Sequence, residues 1–100
     1  DLTSTKAARI LGLYPKKGLI RTGSEADITI FDPGRTAQIR AEDDFSNSDY
    51  SVYEGWSVTG WPSVVIRRGQ VVFDDGALLG RPGSGQLAFR EPFGSGMMLP

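Results

Sequence analysis

The side chains that could do chemistry in this sequence are carboxylates, serines and aromatic rings, because it holds no cysteine and no histidine. Glu42-Asp43-Asp44 and Asp74-Asp75 are the acidic runs, and clustered carboxylates bind hard cations through oxygen. Neither run has the spacing of a calcium loop, and consecutive carboxylates on extended backbone point in different directions. Both read as solvated loop and turn acids. A serine nucleophile needs a positioned base, which here would have to be a lysine or a carboxylate, and no G-x-S-x-G elbow is present. Gly83-Ser84-Gly85 and Gly94-Ser95-Gly96 look like phosphate-cradling loops. Neither follows a strong strand, opens a helix or ends in the lysine-hydroxyl pair that such loops need, so their glycines read as flexibility.

Tyr50, Tyr53, Trp56 and Trp61 form the most concentrated aromatic stretch. Rings on a β domain stack sugars or anchor protein contacts, and here they are expected to fill a core or a subunit interface. Arg67-Arg68 reads as a solvated hairpin tip, and Met97-Met98-Leu99 as an apolar end able to plug a neighbouring subunit. No residue is assigned a catalytic, cofactor-binding or metal-ligating role.

Composition narrows the class further. One hundred residues make one domain or a piece of a larger one. Eleven basic against twelve acidic residues give a net charge of -1, which removes the cationic footprint of a nucleic-acid binder. No wholly apolar run exceeds four residues, far short of the roughly 18 that a membrane span requires. The absence of cysteine and of a basic-then-apolar leader leads to the expectation of a cytoplasmic protein. A chain opening on Asp1 leads to the expectation of further sequence upstream.

Hydropathy patterning predicts a mainly β chain preceded by one short helix. Over residues 3–14 the helix has Thr3 or Ser4 as N-cap and an apolar stripe of Ala7, Ile10, Leu11 and Tyr14. Gly12 is placed to end it in the left-handed conformation, with Leu13 folding back and Pro15 preventing continuation. Leu19-Ile20-Arg21 is a short strand candidate, and residues 26–31 alternate as a strand should. Asp32-Pro33-Gly34 has turn chemistry, and a weaker strand follows at Thr36–Arg40. Residues 41–55 read as a polar loop. The strongest signal is a hairpin, Ser63–Arg67 and Gln70–Phe73 around Arg68-Gly69, closed by a second turn at Asp74-Asp75-Gly76. From Gly80 onward five glycines and three prolines in 21 residues describe a tail that lies on something or is disordered. The segments are thus 1–15 (helix and linker), 16–79 (β region) and 80–100 (extended tail).

In this order the segments resemble the C-terminal end of a cyclic amidohydrolase. STKAARILGLYPKKGLIRTGSEADITIFDP at 4–33 is similar to the junction where the last helix of a catalytic barrel runs into a small β-sandwich. DYSVYEGWSVTGWPSVVIRRGQVVFDDG at 49–76 is similar to the dihydropyrimidinase and D-hydantoinase branch, and the tail GRPGSGQLAFR at 80–90 resembles that branch's Gly-rich end. The sequence departs from the branch at Thr5-Lys6, in place of an Asn-Pro pair, and near Glu42–Phe45, where relatives often carry a histidine.

The resemblance implies a parent with a (β/α)₈ barrel and two metal ions, usually zinc, held by histidines, a carboxylated lysine and an aspartate. Its metal-bridging hydroxide would hydrolyse a cyclic amide. A barrel needs about 250 residues, so this chain is expected to be the noncatalytic β portion, with no metal of its own. Its expected partners are the parent's barrel and further copies of itself. Strands near 19–40 are expected to present open edges, and the isolated chain to self-associate or to repack its helix onto its own sheet. Two other functions fit the residues: a stand-alone binding module using the aromatic loop, and a piece of a noncatalytic dihydropyrimidinase-related scaffold protein.

Overall fold

The computed structural model describes residues 1–92. The expectations for Gly94-Ser95-Gly96 and Met97-Met98-Leu99 lie outside that range.

Helix α1 spans Thr5–Ile10, shorter than the stripe predicts. Ser4 makes no side-chain capping bond; instead Lys6 N–H reaches the Asp1 carbonyl at 2.9 Å. The C-terminal end follows the predicted logic. Gly12 has φ +72°, Leu13 N–H donates to the Ala8 carbonyl at 2.8 Å, and Gly12 N–H donates to the Arg9 carbonyl at 3.3 Å. This is the Schellman closure, which satisfies carbonyls that the helix end would otherwise orphan. The buried helix residue is Ala8, packed beneath Gly18, with Tyr14 buried beside it. Ile10 and Leu11, half of the predicted stripe, face solvent.

Residues 13–27 form a loop rather than containing a strand at 19–21. Its bonds are local and specific: Thr5 Oγ1 donates to the Gly18 carbonyl at 2.6 Å, and Ser24 Oγ to the Pro15 carbonyl at 2.7 Å.

Four antiparallel strands follow as a meander in the order β1-β2-β3-β4. They are β1 (Ile28–Gln38), β2 (Ser57–Arg67), β3 (Gln70–Asp74) and β4 (Ala77–Leu78), with a single 3-10 turn at Ala41–Asp43. Strand β1 runs straight through Asp32-Pro33-Gly34, where the sequence predicts a turn. The turn chemistry is present, with Gly34 N–H bonded to Asp32 Oδ1 at 2.9 Å. It makes a bulge instead, because pairing stops at Asp32↔Trp61 and resumes at Thr36↔Thr59. Gly60 alone stands opposite three residues, with φ +99°. The Phe31 ring covers it so closely that a Cβ would lie 2.7 Å from Phe31 Cζ. A second irregularity at Ile30/Phe31 accommodates Pro62, whose missing N–H would break a regular ladder in a central strand.

The two hairpin turns form as predicted. Arg68-Gly69 and Asp75-Gly76 all have positive φ (46° and 78°, then 44° and 91°). That two-residue pattern matches the right-handed twist of the strands it joins.

The sheet buries little on its own. Among the described residues Ala8 and Tyr14 are the buried apolar side chains, and both belong to the helical end. Helix α1 packs against no strand, so the expected repacking onto the sheet does not occur. The accessible surface is 7753 Å², against about 5,500 Å² for a folded monomer of this mass. Large apolar side chains on the sheet and its loops, including Ile30, Phe31, Phe45 and Leu78, are about half exposed or more.

Candidate functional site

The acidic runs do not converge. Glu42 pairs with Arg40 at 3.4 Å, and Asp75 pairs with Arg35 at 2.5 Å. No group of three or more carboxylates is set to hold a metal among the described residues. Among the described residues Ser84 has no base beside it. Its hydroxyl accepts from Arg67 Nη2 at 2.5 Å and donates to the Arg81 carbonyl at 2.5 Å, while its own carbonyl accepts from Arg68 Nη2 at 2.5 Å. The Gly-Ser-Gly segment therefore receives arginine, and the hairpin-tip arginines are engaged rather than merely solvated.

The aromatic residues divide into two groups, and neither fills a core within the chain. Tyr53 and Trp56 meet edge to face, centroids 5.3 Å apart, with both rings about half exposed. Tyr50 stands out in solvent. Trp61 lies on the sheet, where with Ile39, Phe45, Val65 and Phe73 it lines an open concavity of about 870 Å³. Phe45 reaches over from the 41–55 loop to contact Phe73 edge-on at 6.2 Å. A smaller concavity of about 550 Å³ beside it is lined by polar groups including Arg40, Glu42 and Glu54. Glu54 is occupied there, since its Oε2 accepts the Ala41 N–H at 2.7 Å. The arrangement offers apolar surface for another element to cover, and no nucleophile–base pair.

A third cluster, not anticipated from the sequence, joins the loop to the sheet. Lys17 Nζ contacts Glu25 Oε2 at 2.5 Å and also Asp27 Oδ2, while Lys16 lies 3.4 Å from Glu25. Asp27 Oδ1 accepts the Arg68 N–H at 2.8 Å, and Gly69 N–H donates to the Ala26 carbonyl at 3.0 Å. These bonds hold the carboxyls of Asp27 and Glu25 below their usual values, the Lys17 hydrogen bond being the largest cause for each. They hold Lys17 above its own, chiefly through Asp27 and then Glu25. The signal available in sequence was the two-residue spacing of Glu25 and Asp27, which the three-residue turn closed by Asp27 N–H to the Glu25 carbonyl at 2.9 Å brings to one lysine.

A small antiparallel sheet with one bare apolar face, entered from a helix and a tightly bonded loop, is the architecture that the cyclic amidohydrolase resemblance implies. The model of the amidohydrolase family matches residues 1–72, and the chain belongs to that family. Within it the likeness is to the hydantoinase and dihydropyrimidinase branch. The chain is 43% identical over 95 residues to a D-hydantoinase of Geobacillus stearothermophilus, covering 95% of this chain and 20% of that one. It is 40% identical over 93 residues to a D-phenylhydantoinase of Escherichia coli, again covering 20% of the relative.

Solved structures agree. A D-hydantoinase from Thermus sp. superposes with TM-score 0.85 at 44% identity, over 91% of this chain and 20% of that one. A dihydropyrimidinase from Brevibacillus agri gives 0.86 at 40% identity over the same shares. The chain thus spans about a fifth of the length of the relatives it matches.

Members of this family depend in general on metal ions. The residues present here do not fit such a centre: the sequence has no histidine or cysteine, and the described carboxylates are dispersed or ion-paired. No step through a metal is derived for this chain. No helix among the described residues is long and apolar enough to cross a membrane.

Proposed function

We propose that this chain is the noncatalytic β portion of a metal-dependent hydrolase that opens cyclic amides such as hydantoins or dihydropyrimidines. Its work is to support the catalytic barrel and to take part in subunit assembly. Two metal ions, zinc in this reading, would be held by residues outside it. The observation that carries the proposal is the bare concave face around Trp61, Val65 and Phe73 on a sheet that buries no large side chain by itself. Burial of apolar area contributes roughly 25 cal/mol per Å², so such a face is stabilised only when another element covers it.

The test is a chimera. In the Geobacillus stearothermophilus D-hydantoinase the matching segment is exchanged for this chain, and ring opening of a hydantoin and bound metal are measured. The expected result is a folded, metal-loaded, active chimera, with no turnover by the 100-residue chain alone in the presence of zinc. A chimera that fails to fold, or turnover by the isolated chain, overturns the proposal.

A further inference from the structure

Helix α1 touches no strand, so its connection to the sheet runs through the segments between them. One connection is the loop joint already described, in which Asp27 and Ala26 accept N–H groups from the Arg68-Gly69 tip. That joint reaches the helix through the loop, which is itself tied to α1 by Thr5 Oγ1 to the Gly18 carbonyl at 2.6 Å. The second connection lies in the Gly/Pro-rich segment. Its near end is fixed to the same hairpin tip by Arg67 to Ser84 Oγ and Arg68 to the Ser84 carbonyl, both at 2.5 Å. Its far end is fixed just past the helix terminus, where Glu91 N–H donates to the Gly12 carbonyl at 2.8 Å. The fit at that end is close: a Cβ on Gly12 would sit 2.1 Å from the Glu91 carbonyl oxygen.

We infer that residues 81–92 act as a clasp that closes a second link between the hairpin tip and the end of α1, and so fixes the helix's angle to the sheet. The two links leave the sheet side by side at the hairpin tip and reach the helical end at separate places, the loop and Gly12, so the helix is held at two points along its length. Glycines at 83 and 85 suit the segment for this, since Gly83 has φ +78° beside the serine that receives both arginines. Arg68 belongs to both links, its backbone to the loop joint and its guanidinium to the clasp.

That division allows the clasp to be opened alone. Arg68→Asn combined with Ser84→Ala keeps the backbone N–H for Asp27 and creates an Asn-Gly pair, the favoured sequence for this turn, while removing the guanidinium that reaches the Ser84 carbonyl and the hydroxyl that Arg67 reaches. Gly12→Ala acts at the opposite end. Because the sequence has no cysteine, spin labels can be placed in the full chain through Lys6→Cys on α1 and Gln70→Cys on β3. The distance distribution is then read by double electron–electron resonance, with amide exchange measured in parallel.

Each of the two clasp variants is expected to widen the distribution at least twofold and to speed exchange at Glu91 at least tenfold, with Val64–Val72 amides still protected. An unchanged distribution in the Arg68→Asn, Ser84→Ala variant overturns the clasp, whatever Gly12→Ala does to folding. Loss of hairpin protection in the Arg68→Asn, Ser84→Ala variant overturns it as well, because the clasp would then not be separable from the sheet.

Discussion

The carboxylate of Asp27 accepts the backbone N–H of Arg68 at 2.8 Å, across 41 residues of sequence, while its other oxygen is held by Lys17. One side chain thereby fixes a loop with no regular structure against a turn residue held at φ 46°. Asp27→Ala removes the acceptor from both donors and is expected to cost about 1–2 kcal/mol. Asp27→Asn retains an acceptor for Arg68 and should cost less. Urea unfolding at neutral pH checks both, as a lower midpoint with unchanged slope.

The same cluster sets a pH dependence with a definite sign. Asp27 and Glu25 titrate below their ordinary values in the folded chain, above all through the Lys17 hydrogen bond. The unfolded state therefore binds protons first. Their contribution is full above the ordinary carboxylate values near 4 and is lost as pH falls through the lower folded ones. Lys17 is raised, first by Asp27 and then by Glu25. Its share is full below the ordinary lysine value near 10.4 and is lost as pH rises through the higher folded one. Stability differences between the native chain and Lys17→Met should therefore be flat from about pH 5 to 9 and shrink at both extremes. Partial exposure of Lys17 and Asp27 also makes the difference fall with added salt.

How far the fold was legible depends on the range of the interaction that decides each element. The Arg68-Gly69 hairpin could be read because its β-branched runs and positive-φ turn are contiguous in sequence. Asp32-Pro33-Gly34 was read as a turn because its local chemistry is that of a turn. Only the resumed pairing of Thr36 with Thr59 on another strand makes it a bulge in one strand. Leu19-Ile20-Arg21 has strand-forming residues and no strand, since its neighbours are tied by Lys17, Ser24 and Thr5 instead. The candidate site was least legible. The aromatic loop is expected to fill a core or a subunit interface; Tyr50, Tyr53 and Trp56 stand exposed, so they fill no core, and among the described residues nothing covers the concavity that Tyr53 helps to line.

Gly60 offers a test of the bulge. At φ +99° and with the Phe31 ring over it, it leaves no room for a methyl group. Gly60→Ala is expected to destabilise by about 1–3 kcal/mol, through backbone strain together with overpacking. Adding Phe31→Leu should recover the packing part but not the backbone part. Thermal unfolding of the single and double variants separates the two, and complete recovery in the double variant would exclude the strain.

Self-association of the isolated chain is expected to run through the uncovered face and not through the β1 edge. Edge strand β1 is interrupted at Pro33–Arg35, where the register breaks, and proline and bulges at an edge oppose strand addition. Leu78 on β4 lies at the other edge, is 57% exposed and borders the concave apolar face. Association through that face should respond to a charge at Leu78 and not to one on β1. Sedimentation is expected to give a mass above 10.8 kDa that rises with concentration for the native chain. Leu78→Lys should raise the concentration needed for association at least tenfold while changing stability by no more than about 0.5 kcal/mol. Thr29→Lys on β1 serves as the control and should leave association unaltered. A chain that sediments as a monomer at every concentration, or an equal response to the two lysines, would assign the bare face no part in self-association.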